Sequence, residues 1–325
     1  MPFFDFGLDA LRDYRPDVAE PADFDEFWAR TLAENPLDMS RVSATVVESP
    51  LVGLAVTDIR FPGYGGDPIA AWLITPAGAG PLPAVVSFIG YGGGRGFPEE
   101  HLVWASAGYA NLVVDTRGQG GGFGSGGNTP DGGYAGGPST AGFMTRGIES
   151  PDTYYYRRVY TDAHNAVELA ANLDVVDPDR IAVAGASQGG ALSIAASSLN
   201  PRVAATLADV PFLCHFERAI GLTGSQPYAE IPRFLSVNRH VEVDAYRTLS
   251  YIDGVNMGKR ANSPALFSTG LMDTVCPPST VFAMKNHYGG ESEIEVYRFN
   301  AHEGGGIYQV RRQLAWLGRL FAPSR

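Results

Sequence analysis

The segment Gly185-Ala186-Ser187-Gln188-Gly189 has the residue types and spacing of a nucleophilic serine. It follows the apolar run 181–184, which predicts a strand, and precedes small residues at 191–198 that predict the start of a helix. Glycines on both sides of the serine remove the Cβ atoms that would collide at a sharp turn from strand to helix. Such a turn exposes the serine hydroxyl, so the pattern predicts the nucleophile of a serine hydrolase.

A serine nucleophile needs a base, and the base needs a carboxylate that orients it. On an α/β-hydrolase sheet the acid and then the histidine follow the serine along the chain, on loops after the carboxyl ends of strands. Asp273 and His302 each follow a short apolar run that predicts a strand, and both come after Ser187. The sequence therefore predicts a catalytic triad of Ser187, His302 and Asp273, with Asp209 as the alternative acid.

An acyl-transfer site also needs two hydrogen-bond donors for the oxyanion of the tetrahedral intermediate. One should be the backbone N–H of Gln188, the residue after the nucleophile, and the other should come from the loop after the first parallel strand. Tyr91 is the candidate because it lies in the glycine-rich segment 90–96. This segment is not a dinucleotide-binding fingerprint, since Arg95 stands where the third glycine belongs. The glycine cluster at 118–127 lacks the Gly-Lys-Ser/Thr ending of a phosphate-binding loop.

Composition excludes several classes of protein. The chain has 325 residues, 45% of them hydrophobic, which is enough for a substantial core in one α/β domain. The net charge of −11, without a basic cluster, disfavours a nucleic-acid partner. The sequence shows no secretory signal pattern and no apolar stretch near the roughly 20 residues of a membrane span, so we expect a cytoplasmic protein without a membrane partner. Cys214 and Cys276 lack metal-ligand spacing and are expected to be buried small hydrophobes, and no metal is expected.

The pattern of apolar segments predicts an α/β fold: a mostly parallel sheet with helices on both faces. An antiparallel pair over 51–73, turned at 63–66, precedes it, and a capping box at 23–26 predicts an earlier helix. A helix over 159–173 should bury Val159, Ala163, Ala166, Val167 and Ala170, and the last helix Ile307, Val310, Leu314 and Leu317. The predicted parallel strands are 84–89, 110–114, 181–184, 203–207, 265–268 and 294–299.

Three segments interrupt this alternation within a single domain. Residues 1–45 form an N-terminal extension, residues 118–158 a long glycine- and tyrosine-rich excursion, and residues 212–262 an insertion expected over the active site. Long connections of this kind are usually functional or make contacts. Phe212, Pro227 and Tyr228 of the insertion, together with Tyr91, are candidates for the walls of an acyl pocket because their loops should lie near the serine.

Several motifs together resemble the acetyl xylan esterase/cephalosporin C deacetylase group, carbohydrate esterase family 7. The resemblance spans nearly the whole chain, and its most specific elements are the Arg-Gly-Gln sequence and the His-Glu pair. The motifs are the segment 89–98 around Tyr91, Asp115-Thr116-Arg117-Gly118-Gln119-Gly120, the serine motif at 185–189, Leu271-Met272-Asp273 before Cys276-Pro277-Pro278-Ser279-Thr280, and His302-Glu303-Gly304-Gly305-Gly306.

The resemblance implies an α/β-hydrolase fold and a serine esterase that removes acetyl groups from short acetylated xylooligosaccharides and from cephalosporin C. It implies a triad of Ser187, Asp273 and His302, with oxyanion donors on Tyr91 and Gln188. Arg117 and Gln119 would be structural members of the signature. It also implies a hexamer in which the excursion makes subunit contacts, and a reaction without metal or organic cofactor.

Two other functions remain open from the sequence. A hydrolase directed at thioesters or peptides would keep the same triad and differ in the leaving group it prefers. A non-catalytic carbohydrate-binding or scaffold protein on the same fold would have an inert Ser187. Labelling of that serine by an organophosphate or a sulfonyl fluoride separates the second possibility from an enzyme.

Overall fold

The computed structural model describes residues 3–132 and 137–322, so residues 133–136 of the predicted excursion lie outside the described residues. Within these ranges nine strands form one sheet in the order β1-β2-β3-β5-β4-β6-β7-β8-β9. The strands are β1 (Ser43–Val47), β2 (Leu54–Pro62), β3 (Pro68–Pro76), β4 (Leu82–Phe88), β5 (Ala110–Val114), β6 (Val176–Ala186), β7 (Val203–Asp209), β8 (Ala265–Gly270) and β9 (Ser292–Tyr297).

Strands β5, β4, β6, β7, β8 and β9 are parallel, whereas β1, β2, β3 and β5 pair antiparallel. All six predicted parallel strands and the antiparallel pair with its turn are thus confirmed. Strand β1 was not predicted; it lies at the edge of the sheet, and four of its five residues, the apolar Ala44 and Val46 among them, are exposed. The parallel arrangement brings the carboxyl ends of β4, β6, β7, β8 and β9 to one edge of the sheet, where the chemistry-bearing loops begin.

The sheet separates two hydrophobic layers, since successive side chains of a strand point to opposite faces. In β4, Val86 joins the larger core and Val85 the smaller one on the opposite face. Helices cover both faces, as predicted. They are α1 (Leu8–Asp13), α2 (Phe24–Glu34), α3 (Leu102–Ser106), α4 (Tyr155–Ala171), α5 (Gln188–Leu199), α6 (Phe216–Leu222), α7 (Glu230–Val237), α8 (Glu242–Ser250), α9 (Gly254–Gly258), α10 (Pro278–His287) and α11 (Gly306–Leu320).

Helix α4 buries all five apolar residues predicted for its inner face. It begins at Tyr155, so the excursion ends at 154 and not at 158. The tyrosines that made this segment look unusual, Tyr154, Tyr155 and Tyr156, are fully buried in the larger core of the same chain. They therefore belong to the packing of the chain itself.

The prediction for α11 was wrong in part. Leu317 is buried as predicted, but Val310 and Leu314 are only half-buried and Ile307 is exposed. The other buried residues of the helix are Gln309, Gln313 and Trp316. The reason is a buried acceptor: both carboxylate oxygens of a residue on β7 are hydrogen-bonded by the two glutamines. An apolar-periodicity argument has no means of finding a buried glutamine pair.

Helix α2 forms where predicted, but its capping box does not. The side chain of Asp23 makes no hydrogen bond to the helix and instead accepts one of 2.5 Å from the phenol of Tyr251. This contact ties the N-terminal segment to the insertion, which contains α6, α7, α8 and α9. No helix in the two described ranges is long and apolar enough to span a membrane.

Candidate functional site

Ser187 occupies a strained turn between β6 and α5. Its backbone has φ 57° and ψ −118°, a conformation that non-glycine residues rarely adopt. A Cβ at Gly185 would lie 2.5 Å from the carbonyl carbon of Gly189, and a Cβ at Gly189 would meet the carbonyl oxygen of Phe88. The two glycines of the motif are therefore required by close backbone approach, as the sequence predicts.

Backbone hydrogen bonds with the last residue of β7 and with the segment after it hold this turn. The Ser187 N–H donates to the carbonyl of Asp209 at 2.9 Å, and the Phe212 N–H donates to the carbonyl of Ser187 at 3.0 Å. The segment that supplies them is itself strained, with positive φ at Val210 (37°) and Leu213 (59°). Backbone strain of this kind persists where the surrounding contacts over-determine it, and it is common at functional sites.

His302 and Asp273 form a hydrogen-bonded pair. Nδ1 of His302 lies 2.8 Å from Oδ2 of Asp273, and the carboxylate is fully buried whereas the imidazole is about one-third exposed. The other carboxylate oxygen accepts from the backbone N–H groups of Val275 (2.8 Å) and Cys276 (2.9 Å), which fixes its position. With its proton on Nδ1, the ring keeps Nε2 unprotonated and able to accept a proton.

Asp209, the alternative acid, lies in a different environment. Its two carboxylate oxygens accept hydrogen bonds of 2.8 Å from Gln309 and from Gln313 of α11. Burial without a neighbouring cation raises the pKa of Asp209 to about 6. The structure thus pairs His302 with Asp273 and gives Asp209 the role of anchoring the helix that follows the histidine loop.

Tyr91 and Gln188 present free backbone donors at the same edge of the sheet. Tyr91 follows β4, and Gln188 is the first residue of α5, where the helix dipole favours negative charge. In the described part of the chain no acceptor occupies the backbone N–H of either residue. Two open N–H groups beside a nucleophile are what an oxyanion requires.

Gln119 connects the two segments that carry these donors. Its Oε1 accepts from the backbone N–H of Gly92 at 2.7 Å, and its Nε2 donates to Oε1 of Gln188 at 2.8 Å. The side-chain Nε2 of Gln188 in turn donates to the carbonyl of Ile89 at 3.1 Å. The fully buried Gln119 therefore holds the glycine-rich loop against the start of α5.

Arg117 is completely buried and surrounded by carboxylates. Its guanidinium makes two hydrogen bonds to Asp162, at 2.6 and 2.8 Å, and one of 3.0 Å to Asp67, with Asp131 at 3.6 Å. Burial lowers the pKa of Arg117, but these carboxylates outweigh it, and the net shift is upward. The carbonyl of Arg117 accepts from the phenol of Tyr155 at 2.6 Å, so the residue also ties the chain just before the excursion to α4.

Glu230, the first residue of α7, is a member of the site that the sequence did not reveal. Its Oε1 accepts from the phenol of Tyr91 at 2.6 Å and from the N–H of Gly142 at 3.1 Å, while Oε2 accepts from the N–H of Met144 at 3.1 Å. Burial and the hydrogen bond to Glu230 raise the pKa of Tyr91. No motif surrounds Glu230, and only the fold brings the insertion, the excursion and the Tyr91 loop together.

The residues predicted to wall an acyl pocket are buried, except Tyr91, which is half-buried. Phe212 and Tyr228 are fully buried, with their ring centroids 4.4 Å apart in an edge-to-face contact, and Tyr91 lies 6.2 Å from Phe212. Pro227 is also buried. The sequence missed Cys276 as a neighbour of this group: burial raises the pKa of its thiol, and interaction with the Ser187 hydroxyl opposes the rise.

Glu303, the partner of the histidine in the His-Glu motif, stabilises the loop through local hydrogen bonds. Its carboxylate accepts from the side-chain amide of Asn300 at 2.6 Å and from the N–H of Ala301 at 3.0 Å. The hydrogen bond from Asn300 is the main reason that the pKa of Glu303 is lowered. Within residues 3–132 and 137–322 no group of three or more potential metal ligands occurs.

Comparison with known proteins gives consistent matches. The sequence model of the acetyl xylan esterase (AXE1) family matches residues 1–320. An acetyl xylan esterase from Paenibacillus sp. R4 superimposes with a TM-score of 0.88 at 38% identity, covering 97% of this chain and 99% of that one. Acetyl xylan esterase 1 from Thermoanaerobacterium sp. JW/SL YS485 superimposes with a TM-score of 0.87 at 33% identity, covering 98% and 100%.

A third relative matches a shorter part of the chain. An acetyl esterase from Xylanibacter ruminicola is 30% identical over 161 residues, which are 50% of this chain and 36% of that protein. The match therefore spans little more than a third of the length of that relative.

Proposed function

Because this chain belongs to the acetyl xylan esterase family, we propose that it is a serine esterase that removes acetyl groups from short acetylated xylooligosaccharides. The observation that carries the proposal is the 2.8 Å contact between His302 Nδ1 and Asp273 Oδ2 at the sheet edge where Ser187 sits on a strained turn. The names of the relatives supply the substrate class, and the geometry supplies the reaction type.

In the acylation step, Nε2 of neutral His302 takes the proton of Ser187 as its oxygen attacks the acetyl carbonyl. Asp273 stabilises the imidazolium, and its buried carboxylate is held for that task by two backbone N–H groups. The backbone N–H groups of Tyr91 and Gln188 bind the oxyanion, which costs little reorganisation since both donors are fixed beforehand. His302 then gives the proton to the departing sugar oxygen.

In the deacylation step, the acetyl group is bonded to Ser187 and His302 acts as base again. Water loses a proton to Nε2 and adds to the acyl carbon, and the same two N–H groups bind the second oxyanion. Collapse of that intermediate returns the proton to Ser187 and releases acetate. Every group in both steps is a side chain or a backbone amide of this chain.

The acyl side of the site favours short groups. Phe212 and Tyr228 are fully buried and packed on each other, so a longer acyl chain would have to displace packed rings. Overpacking a dense pocket typically costs about 1–3 kcal/mol, or roughly 10- to 200-fold in kcat/KM. We therefore expect acetate esters to be strongly preferred over butyrate and octanoate.

Cephalosporin C is a second substrate that we propose for this site. It is an acetate ester of an alcohol unlike a sugar, and its hydrolysis requires a permissive alcohol side. The resemblance of the sequence motifs to the cephalosporin C deacetylase group is what supports it. Direct measurement of acetate release from cephalosporin C, beside acetylated xylobiose, tests it independently of the sugar substrate.

One panel of esters tests the proposed function. Steady-state kcat/KM is measured for p-nitrophenyl acetate, butyrate and octanoate, for acetylated xylobiose, and for a matched amide and thioester, with Ser187→Ala as the blank. The proposal expects acetate esters to be the best substrates. Values that rise toward octanoate, a preference for the amide or thioester, or a wild-type rate equal to the blank would each overturn it.

We also propose that the chain forms a closed oligomer, a hexamer, in the cytoplasm. Large apolar side chains exposed in several places support association; they include Val46, Val52, Val237 and Tyr308. Both cysteines are free and buried, which suits a reducing compartment. Fractionation of source cells followed by an activity assay tests the location, and a solution molar mass tests the assembly.

A further inference from the structure

Phe123 is a large exposed aromatic residue next to the proposed oxyanion donors. A Cβ at Gly93 would lie 2.6 Å from Cζ of Phe123 and 2.9 Å from its Cε2, so the ring occupies space that only a glycine leaves free. A Cβ at Gly90 would lie 3.7 Å from Phe123 Cζ and 3.8 Å from the carbonyl oxygen of Ala186, the residue before the nucleophile. The ring therefore lies over the loop of Tyr91 and close to the serine turn.

The loop that carries Phe123 is fixed to the Tyr91 loop. The Gly122 N–H donates to the carbonyl of Gly92 at 2.9 Å, and the Gly120 N–H donates to the same carbonyl at 3.3 Å. The N–H of Gly92 donates to the side chain of Gln119, so both backbone polar groups of Gly92 are hydrogen-bonded to the segment that leads to Phe123. A ring on a loop held in this way is pre-organised for a ligand.

One part of the ring rests on glycines, and the rest faces solvent: Phe123 is 58% exposed. A single exposed apolar residue is ordinary. Phe123, however, packs on the loop that carries a proposed oxyanion donor. This location suits a ligand contact, because aromatic side chains commonly line ligand sites.

We propose that Phe123 is a stacking platform for the pyranose ring that carries the scissile acetyl group. The inference rests on the proposed function and deepens it. In the proposed reaction Phe212 and Tyr228 wall the acyl side, and both are fully buried, whereas Phe123 is exposed and therefore available to the alcohol part of the ester. One face of a pyranose presents C–H groups, and that apolar face matches the open surface of an aromatic ring.

The test is Phe123→Ala, with Phe123→Trp as the variant that keeps a ring. Phe97→Ala is the matched control, since Phe97 is equally exposed and lies beyond Gly94 on the same loop, against the groove of Trp72. Kinetics are measured on acetylated xylobiose and on ethyl acetate, which has no ring to stack. Phe123→Ala should raise KM for acetylated xylobiose roughly tenfold, equivalent to about 1.4 kcal/mol, and leave ethyl acetate hydrolysis within about twofold of wild type.

Phe123→Trp should keep the wild-type KM for the sugar, and Phe97→Ala should keep both activities. Equal effects of Phe123→Ala on the two esters, or none on the sugar, would overturn the platform and leave the esterase proposal standing. A wild-type enzyme that cleaves ethyl acetate but not acetylated xylobiose would overturn the sugar substrate together with the platform. A wild-type protein inactive on both esters would overturn the proposed function itself.

Discussion

At the scale of single residues, the chemistry of this site depends on how each carboxylate is solvated. Asp273 is buried but receives two backbone N–H groups as well as His302, whereas Asp209 is buried and receives hydrogen bonds from neutral side chains, the amides of two glutamines among them. Both follow strands and look equivalent in the sequence. The distinction between them lies in the partners that the fold supplies.

The triad assignment makes a direct prediction. Ser187→Ala and His302→Ala should each lower kcat by about 10⁴-fold or more and leave the fold intact, because members of such a unit act together. Asp273→Asn should be severely impaired, and Asp209→Asn, the matched control, should keep most of its activity. Turnover of p-nitrophenyl acetate, with circular dichroism to verify folding, decides the matter; an active Asp273→Asn beside an inactive Asp209→Asn would reverse the assignment.

The pKa of Asp209 makes a prediction about stability. Because burial raises it from 3.8 to about 6, the folded state holds this proton more tightly than the unfolded chain does. The contribution of the group to stability is complete below pH 3.8 and is lost as the pH rises through about 6. The difference between a pKa of 3.8 and one of about 6 corresponds to about 3 kcal/mol in the free energy of unfolding.

Asp209→Asn cannot ionise, so its thermal midpoint should fall less than that of the wild type between about pH 4.5 and pH 7. Asp253, whose pKa burial also raises to about 6, remains in both proteins and should leave a residual slope. The exposed Asp9→Asn serves as control and should reproduce the wild-type profile. If the thermal midpoints of wild type and Asp209→Asn fall in parallel with pH, ionisation of Asp209 is not the cause of the loss of stability.

At the scale of secondary-structure elements, the site is assembled by contacts between segments that are far apart in sequence. Glu230 of α7 bonds the Tyr91 phenol and the N–H groups of Gly142 and Met144. The rings of Tyr91 and Phe143 also meet edge to face at 5.6 Å. One carboxylate thus links the insertion, the excursion and the loop of a proposed oxyanion donor.

Removing this link should affect turnover more than binding. Glu230→Ala removes the acceptor of the Tyr91 phenol and of the Met144 N–H, and one of the two acceptors of the Gly142 N–H. The change frees the Tyr91 loop, so we expect kcat to fall roughly tenfold or more with a smaller change in KM. Glu230→Gln should restore part of the rate, since it keeps one acceptor oxygen. Tyr91→Phe combined with Glu230→Ala should be less harmful than the product of the single effects, because the two changes break the same contact.

The exposed Glu149→Gln in the same excursion is the control, and it should behave as wild type. Steady-state kinetics with p-nitrophenyl acetate give kcat and KM separately for each variant. Strict additivity of the Tyr91 and Glu230 changes, or an unchanged kcat in Glu230→Ala, would mean that the link does not position the oxyanion donor.

Local patterns allowed part of this arrangement to be predicted from the sequence. Apolar runs predicted the six parallel strands, and the helical periodicity of apolar residues predicted the inner face of α4. The glycine spacing predicted the Ser187 turn. Strand β1, the buried Gln309 and Gln313, and Glu230 could not be found in this way. Each of them depends on a partner elsewhere in the chain, and a single sequence carries no record of such pairings.

At the scale of the whole molecule, the described surface carries large exposed apolar side chains on several elements. They are distributed over separate elements: Val46 on the edge strand β1, Val52 in the turn before β2, Val237 and Val243 in the insertion, and Ile307 and Tyr308 at the start of α11. Strand β1 pairs only with β2, so its other edge presents unpaired backbone groups within the described part of the chain. Edges and patches of this kind are covered in many proteins by a second copy.

The prediction is a closed oligomer. Six copies of the 34.7-kDa chain correspond to about 208 kDa, and light scattering coupled to size-exclusion chromatography at micromolar concentration should report that mass. Val46→Lys and Val237→Lys test two of the exposed patches, because a lysine is readily solvated on a free surface but is costly to bury in a contact between subunits. If a patch lies in a contact, its variant should dissociate the oligomer and keep a folded chain, whereas Glu149→Gln should keep the wild-type mass. A wild-type protein that stays at the mass of a single chain would reject the assembly and leave these apolar side chains exposed in solution.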